Sequence, residues 1–216
     1  MNFNGVIFDL DGTLVNSLED LADSMNTVLR NNHFPNHTTE AYNYFIGSGI
    51  KNLVSKALPE LHRDGQTISK CFVEMVERYR ENCMNKTRPY DGIPGLLNEL
   101  VKYGLKLAVL SNKADELTKK IVPVLLPDWE FSAVMGLSNE ATKKPNPAGA
   151  LQISKQMNIV PDKILYIGDS GIDMQTANNA GMYAAGACWG FRSREELTKN
   201  GAKILLEHPL DLIRIL

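Results

Sequence analysis

Gly5-Val6-Ile7-Phe8-Asp9-Leu10-Asp11-Gly12-Thr13 carries a short apolar run that stops at a carboxylate. Its first four residues read as a buried strand, too short for a signal peptide or a membrane span. Asp9 then stands at the strand's carboxyl end, Asp11 follows two residues later, and Gly12-Thr13 lead toward a helix. In open α/β sheets ligands collect at this edge. An acidic turn capping a helix would account for the residue types. It does not account for four such residues within five positions directly behind a buried strand.

Further strand-length runs follow, at Leu105 to Leu110, Phe131 to Met135, Ile164 to Ile167, Tyr183 to Ala187 and Lys203 to Leu206, separated by segments of helical periodicity. This alternation predicts an α/β fold, a Rossmann-like parallel sheet with helices on both faces. The strand signal is missing between residues 16 and 83. There Leu18, Leu21, Ala22, Met25, Val28 and Leu29 form one apolar stripe, and Phe72, Met75, Val76 and Tyr79 form another within a pattern from Ile68 to Cys83. We expect a catalytic core over 1–15 and 84–216 with an inserted helical cap over 16–83. Pro89, Gly92, Pro94 and Gly95 mark the return to the core.

Composition narrows the class. The 216 residues are 44% hydrophobic and 22% charged, ordinary for a folded protein, and the formal net charge is -2. Lys and Arg are scattered, which leaves no footprint for nucleic acid or anionic lipid. The three cysteines, Cys71, Cys83 and Cys188, are far apart and form no CxxC pair, which argues against a disulfide framework. With no basic leader at Met1-Asn2-Phe3-Asn4, the reading is a cytoplasmic monomer or weak homodimer whose partner is a small molecule. His33 and His37 are four apart, but Pro35 breaks the helix that would align them, so they read as loop residues.

The two aspartates suit phosphoryl transfer. A phosphate monoester resists attack because its oxygens are anionic and its leaving group is poor, so the reaction needs charge neutralisation, an aligned nucleophile and an acid. Asp9 can attack phosphorus and become an aspartyl-phosphate. Asp11 can protonate the departing oxygen and later deprotonate the hydrolytic water. Gly12 lets backbone N–H groups approach the phosphoryl oxygens, and Thr13 adds a hydroxyl.

This run resembles the first signature of the haloacid dehalogenase (HAD) superfamily. Ser111-Asn112, after the next strand, resembles the second motif, which implies that the Ser111 hydroxyl donates to a phosphoryl oxygen with Asn112 beside it. Lys144-Pro145-Asn146-Pro147 resembles the third, making Lys144 the charge-balancing lysine and Lys143 a surface residue. Gly168-Asp169-Ser170-Gly171-Ile172-Asp173, with Ala177, Ala180 and Gly181 behind it, resembles the fourth. Helix capping by Asp169 or Ser170 is the other reading of that loop. The resemblance implies Mg²⁺ held by Asp9, Asp169 and the Asp11 carbonyl, with Asp173 either reaching the ion or a bound water, or pairing with Lys144.

The insertion point resembles that of a C1-type cap. Within it Phe45-Ile46-Gly47-Ser48-Gly49-Ile50-Lys51 resembles the cap loop of phosphoglycolate phosphatases, which implies substrate binding by Gly47, Ser48, Gly49 and Lys51. Trp189-Gly190-Phe191-Arg192 resembles the tail of the same group, with Arg192 expected at the surface as a loop arginine. The resemblance therefore implies a Mg²⁺-dependent phosphatase for a small phosphorylated metabolite, phosphoglycolate first. Another sugar phosphate, a nucleotide or pyrophosphate is the alternative, or a phosphomutase of the β-phosphoglucomutase type, which carries an acidic residue where Gly168 stands. Asp11 argues against dehalogenation, because halide leaves without a proton. A receiver-like phosphoacceptor would lack the general acid and the cap.

Overall fold

The computed structural model describes residues 3–216, so Met1 and Asn2 of the N-terminal segment lie outside the described residues. The chain divides into two compact units, Met1–Asn16 with Pro89–Leu216, and Ser17–Arg88.

The first unit is built on a parallel sheet of β1 (Gly5–Phe8), β4 (Lys106–Ala114), β5 (Ala133–Leu137), β6 (Ile164–Gly168), β7 (Tyr183–Ala187) and β8 (Ile204–Leu206), in the order β5-β4-β1-β6-β7-β8. Two-residue strands β2 (Val15–Asn16) and β3 (Arg88–Pro89) lie at the ends of the intervening segment. β1 and β6 are buried at every position, which is why their sequences are apolar throughout rather than alternating. Ile7, Ala108, Ile164 and Tyr166 contribute to a core completed by Ala150, Ile153 and Met157 of α6 (Ala148–Met157) and by Met174 and Ala177 of α7 (Gly171–Asn179).

Strand order positions the site. β1 lies between β4 and β6, with Phe8 level with Val109 on one side and Ile167 on the other. The chain builds outward from β1 first through β4 and β5, then in the other direction through β6, β7 and β8. β1 is therefore the topological switch point, and the residues behind it open into a crevice.

The second unit holds α1 (Leu18–Asn31), α2 (Ile50–Ala57) and α3 (Gly65–Asn82), with α1 and α2 both packed on α3. The stripe on α1 is buried at Leu21, Ala22, Met25, Val28 and Leu29. Asp20 is buried beside it and accepts from the backbone N–H groups of Lys86 and Thr87 and from the Thr87 hydroxyl, tying the two ends of the unit together. His33 is exposed, and the His37 ring lies 2.7 Å from the Ala57 carbonyl, so the two share no metal geometry. No helix among the described residues is long and apolar enough to cross a membrane.

Candidate active site

Asp9 leaves the end of β1 with its backbone N–H on the Ile167 carbonyl of β6, which fixes the carboxylate over the switch point. Its Oδ1 accepts from the Leu10 N–H at 2.7 Å and from Lys144 Nζ at 2.9 Å. Lys144 reaches on to Asp173 Oδ1 at 2.7 Å and to the Leu110 carbonyl. Asp169 follows β6, with Oδ1 facing the Thr13 hydroxyl at 3.3 Å and Oδ2 accepting from the Phe191 N–H at 2.8 Å. Asp9, Asp169 and Asp173 each place a carboxylate oxygen within 4.8 Å of the others.

The crowding shifts the protons of Asp9 and Asp169. Burial first, then the Asp173 charge, raises Asp9 to about 7 against the opposing pull of Lys144. Burial, with Asp173 and Asp9, also raises Asp169 well above the usual carboxylate range. Burial alone would lower Lys144, but Asp173 and Asp9 outweigh it and hold the ammonium well above its ordinary value. With all three ionised, the carboxylates would outnumber the Lys144 ammonium, and the Arg192 guanidinium, which acts on Asp169, would offset only part of the excess. Such a cluster fits a divalent cation with oxygen ligands, which would also return Asp9 to its ionised form.

The expected residues also make contacts within the protein. Thr13, expected to meet a phosphoryl oxygen, is fully buried and turns its hydroxyl to Asp169. Asn112, expected at the substrate, brackets the Lys144 backbone instead, accepting from its N–H at 2.9 Å and donating to its carbonyl. Asp173, counted among the metal-facing residues, has both oxygens engaged. Oδ1 takes Lys144, and Oδ2 accepts from the Ser170 N–H and hydroxyl in a capping box that starts α7. Ser170 is thus the helix cap, which leaves Asp169 to the site. Ser111 lies within β4 rather than past it, in the stretch where the register with β5 shifts between Leu110 and Ala114. Its Oγ accepts from the Lys113 N–H, leaving its own proton to donate. Lys143 pairs with Glu140, as a surface residue would. Arg192 is not at the surface: its side chain is 13% exposed and lies 3.5 Å from Glu196.

Gly12 adopts φ +91°, and a Cβ there would strike the Asp169 carboxylate, so this glycine sets how closely the first and fourth motifs approach. Gly47 and Gly49 also have positive φ. They belong to the second unit, where Gly49 with Ser48 leads into α2, the helix that carries Lys51.

Two residues escaped the sequence reading. Lys113 Nζ lies 2.7 Å from Asp11 Oδ1, with the side chains 3% and 13% exposed. Burial, then the nearby charges of Asp169 and Asp11, raises the Tyr90 phenol, which places that ring beside the same carboxylates. A lysine directly after Ser-Asn was a usable signal for Lys113. Tyr90, inside a turn-rich linker, offered none.

A family model described as haloacid dehalogenase-like hydrolase matches residues 6–187. The chain belongs to that family. It is 32% identical to a phosphoglycolate phosphatase of Aquifex aeolicus over 98% of this chain and 95% of the relative. To the N-acetylmuramic acid 6-phosphate phosphatase of Pseudomonas aeruginosa it is 30% identical over 100% and 96%. A crystal structure from Lactobacillus delbrueckii subsp. bulgaricus, 30% identical, superposes with a TM-score of 0.93 over 100% of this chain and 98% of that one. As an enzyme this HAD hydrolase stands with the phosphatases, on a sheet of the Rossmann-like kind.

Proposed function

We propose that the protein is a Mg²⁺-dependent phosphatase that cleaves a small phosphorylated metabolite through an aspartyl-phosphate on Asp9. The observation that carries this is Asp9 itself, at the switch point between the Lys144 ammonium and the Asp169 carboxylate. Asp9 attacks phosphorus as the ester P–O bond breaks, and Asp11 gives the leaving oxygen its proton. Asp11 then takes a proton from the water that attacks the aspartyl-phosphate, releasing phosphate and restoring Asp9. Lys113 holds the Asp11 carboxylate throughout. Ser111 donates its hydroxyl to a phosphoryl oxygen, and Lys144, held by Asp173 and bracketed by Asn112, balances the charge on Asp9. A divalent cation on Asp9 and Asp169 would neutralise charge on the transferring group. In this reading Asp173 acts through Lys144 and is not a ligand.

Gly168 argues against a mutase. A Cβ there would overlap the Cβ and Cγ of Asp173, so the acidic residue of the β-phosphoglucomutase type has no room.

Phosphoglycolate is the leading substrate. The substrates in the names of the two relatives share a feature: phosphoglycolate and N-acetylmuramic acid 6-phosphate are both phosphate monoesters that also carry a carboxylate. Segment 16–83 acts as the cap, with Gly47, Ser48, Gly49 and Lys51 as candidate carboxylate receptors. The test is phosphate release from a phosphometabolite panel with Mg²⁺, with Asp9→Asn as the blank. Selective turnover of carboxylate-bearing esters is expected. No release from any member would overturn the assignment.

A further inference from the structure

Beyond β7 the chain returns to the site through Trp189, Gly190 and Phe191, and each of the three touches it differently. The Trp189 indole N–H donates to the Thr13 carbonyl at 2.9 Å, across 176 positions of sequence. The Phe191 backbone N–H donates to Asp169 Oδ2 at 2.8 Å. Between them, Gly190 has no room for a side chain: a Cβ would fall inside both the Asp169 Cβ and the Gly12 carbonyl oxygen. Its φ is not in the left-handed region, so space and not backbone conformation demands glycine here.

Gly190 and Gly12 therefore both lie tight against the Asp169 side chain. One of its oxygens is consumed by a backbone donor. The other meets only the long contact from the Thr13 hydroxyl. A carboxylate held in this way is oriented by the protein, with Oδ1 the less engaged of its two oxygens.

We propose that Trp189-Gly190-Phe191 is a clamp that positions Asp169 and the Asp9–Thr13 loop for the cation, so that the affinity of the site for a divalent ion depends on this turn. Trp189 fixes the loop through Thr13, Gly190 lets the two motifs close on each other, and Phe191 selects the oxygen of Asp169 that faces inward. The clamp rests on the reading of Asp9 and Asp169 as cation ligands. It assigns roles to residues that touch neither substrate nor ion.

The test is Mn²⁺ binding in the absence of substrate, followed by the electron paramagnetic resonance signal of the free ion. Wild type, Asp169→Asn, Gly190→Ala and Trp189→Phe are compared, each checked for folding by circular dichroism. Substitutions behind a metal ligand typically weaken binding by about 10- to 100-fold, and Gly190→Ala is expected in that range. Trp189→Phe keeps an aromatic side chain but removes the N–H donor with part of the indole, and a smaller loss of about 3- to 10-fold is expected from the lost hydrogen bond. If Gly190→Ala fails to fold, Trp189→Phe alone decides. Wild type that binds no Mn²⁺, or binds it no better than Asp169→Asn, overturns the cation reading and the clamp with it. Wild-type affinity in the folded variants, while Asp169→Asn has lost binding, overturns the clamp alone, whatever happens to their melting temperatures.

Discussion

Replacing Lys113 by Met separates the job of Asp11 from that of the rest of the site. The two side chains meet at 2.7 Å and are 3% and 13% exposed, so the pair is neither a surface bridge nor a fully dry one. At an effective dielectric constant of about 20, charges this close attract by about 6 kcal/mol before desolvation. Breaking a buried pair costs about 3–5 kcal/mol, and water reaching the partly exposed Asp11 recovers part of that. About 2–3 kcal/mol of lost positioning remains, which is about 30- to 160-fold in rate at about 1.36 kcal/mol per decade. That does not exceed the contribution of a general acid, about 10²–10⁴-fold, as it must not if Lys113 acts only through Asp11. The assay is kcat/KM, which reports the steps through phosphoryl transfer, measured with phosphoglycolate and with 4-nitrophenyl phosphate. An alkoxide needs the proton from Asp11 and 4-nitrophenolate does not. The loss should therefore appear in full with phosphoglycolate and shrink to under about 5-fold with the nitrophenyl ester. Lys113→Arg should restore most of the activity. Equal losses on both esters, or a Lys113→Met enzyme within twofold of wild type, would refute the reasoning.

Dialysis against a chelator should abolish phosphate release and added Mg²⁺ should restore it; protein shown to be metal-free by elemental analysis yet still active would contradict the cation assignment. Asp20→Ala removes the acceptor for the Lys86 and Thr87 N–H groups and the Thr87 hydroxyl, and should lower stability by about 2–4 kcal/mol in urea unfolding, since buried donors left unpaired cost about 1–3 kcal/mol each. A loss under about 0.5 kcal/mol, the range of surface substitutions, would mean that this joint does not hold the ends of the second unit. Asp64 caps α3, and hydrogen bonds from the Thr67 N–H and hydroxyl hold its carboxyl below the ordinary value of 3.8. A depressed folded pKa gives stability that is present above the unfolded value and lost as pH falls through the folded one. The stability difference between wild type and Asp64→Ala should therefore be full at pH 7 and vanish in acid below that carboxyl's range; a difference independent of pH would show that the cap does not act through the ionised form.

The parts of this site that were legible in sequence share one property. Asp9, Ser111 and Asp169 each follow an apolar run, so a local pattern announces them, and the parallel order of β4, β1 and β6 then brings their strand ends together without further instruction. Partnerships are different, because they depend on distances no local pattern encodes. Thr13 and Asn112 have the right chemistry to meet phosphate, but packing turns one toward Asp169 and the other around the Lys144 backbone. Lys113 looks like part of a turn until the register shift at the end of β4 is known, and only then does its ammonium face Asp11. Arg192 reads as a surface arginine until the turn after β7 folds back on Thr13 and Asp169. The charge count follows the same rule. Each carboxylate is unremarkable by itself, and the crowding that suits a divalent ion exists only once Asp9, Asp169 and Asp173 are gathered around Lys144. The chemistry of the site is therefore written locally, and its electrostatic balance belongs to the fold.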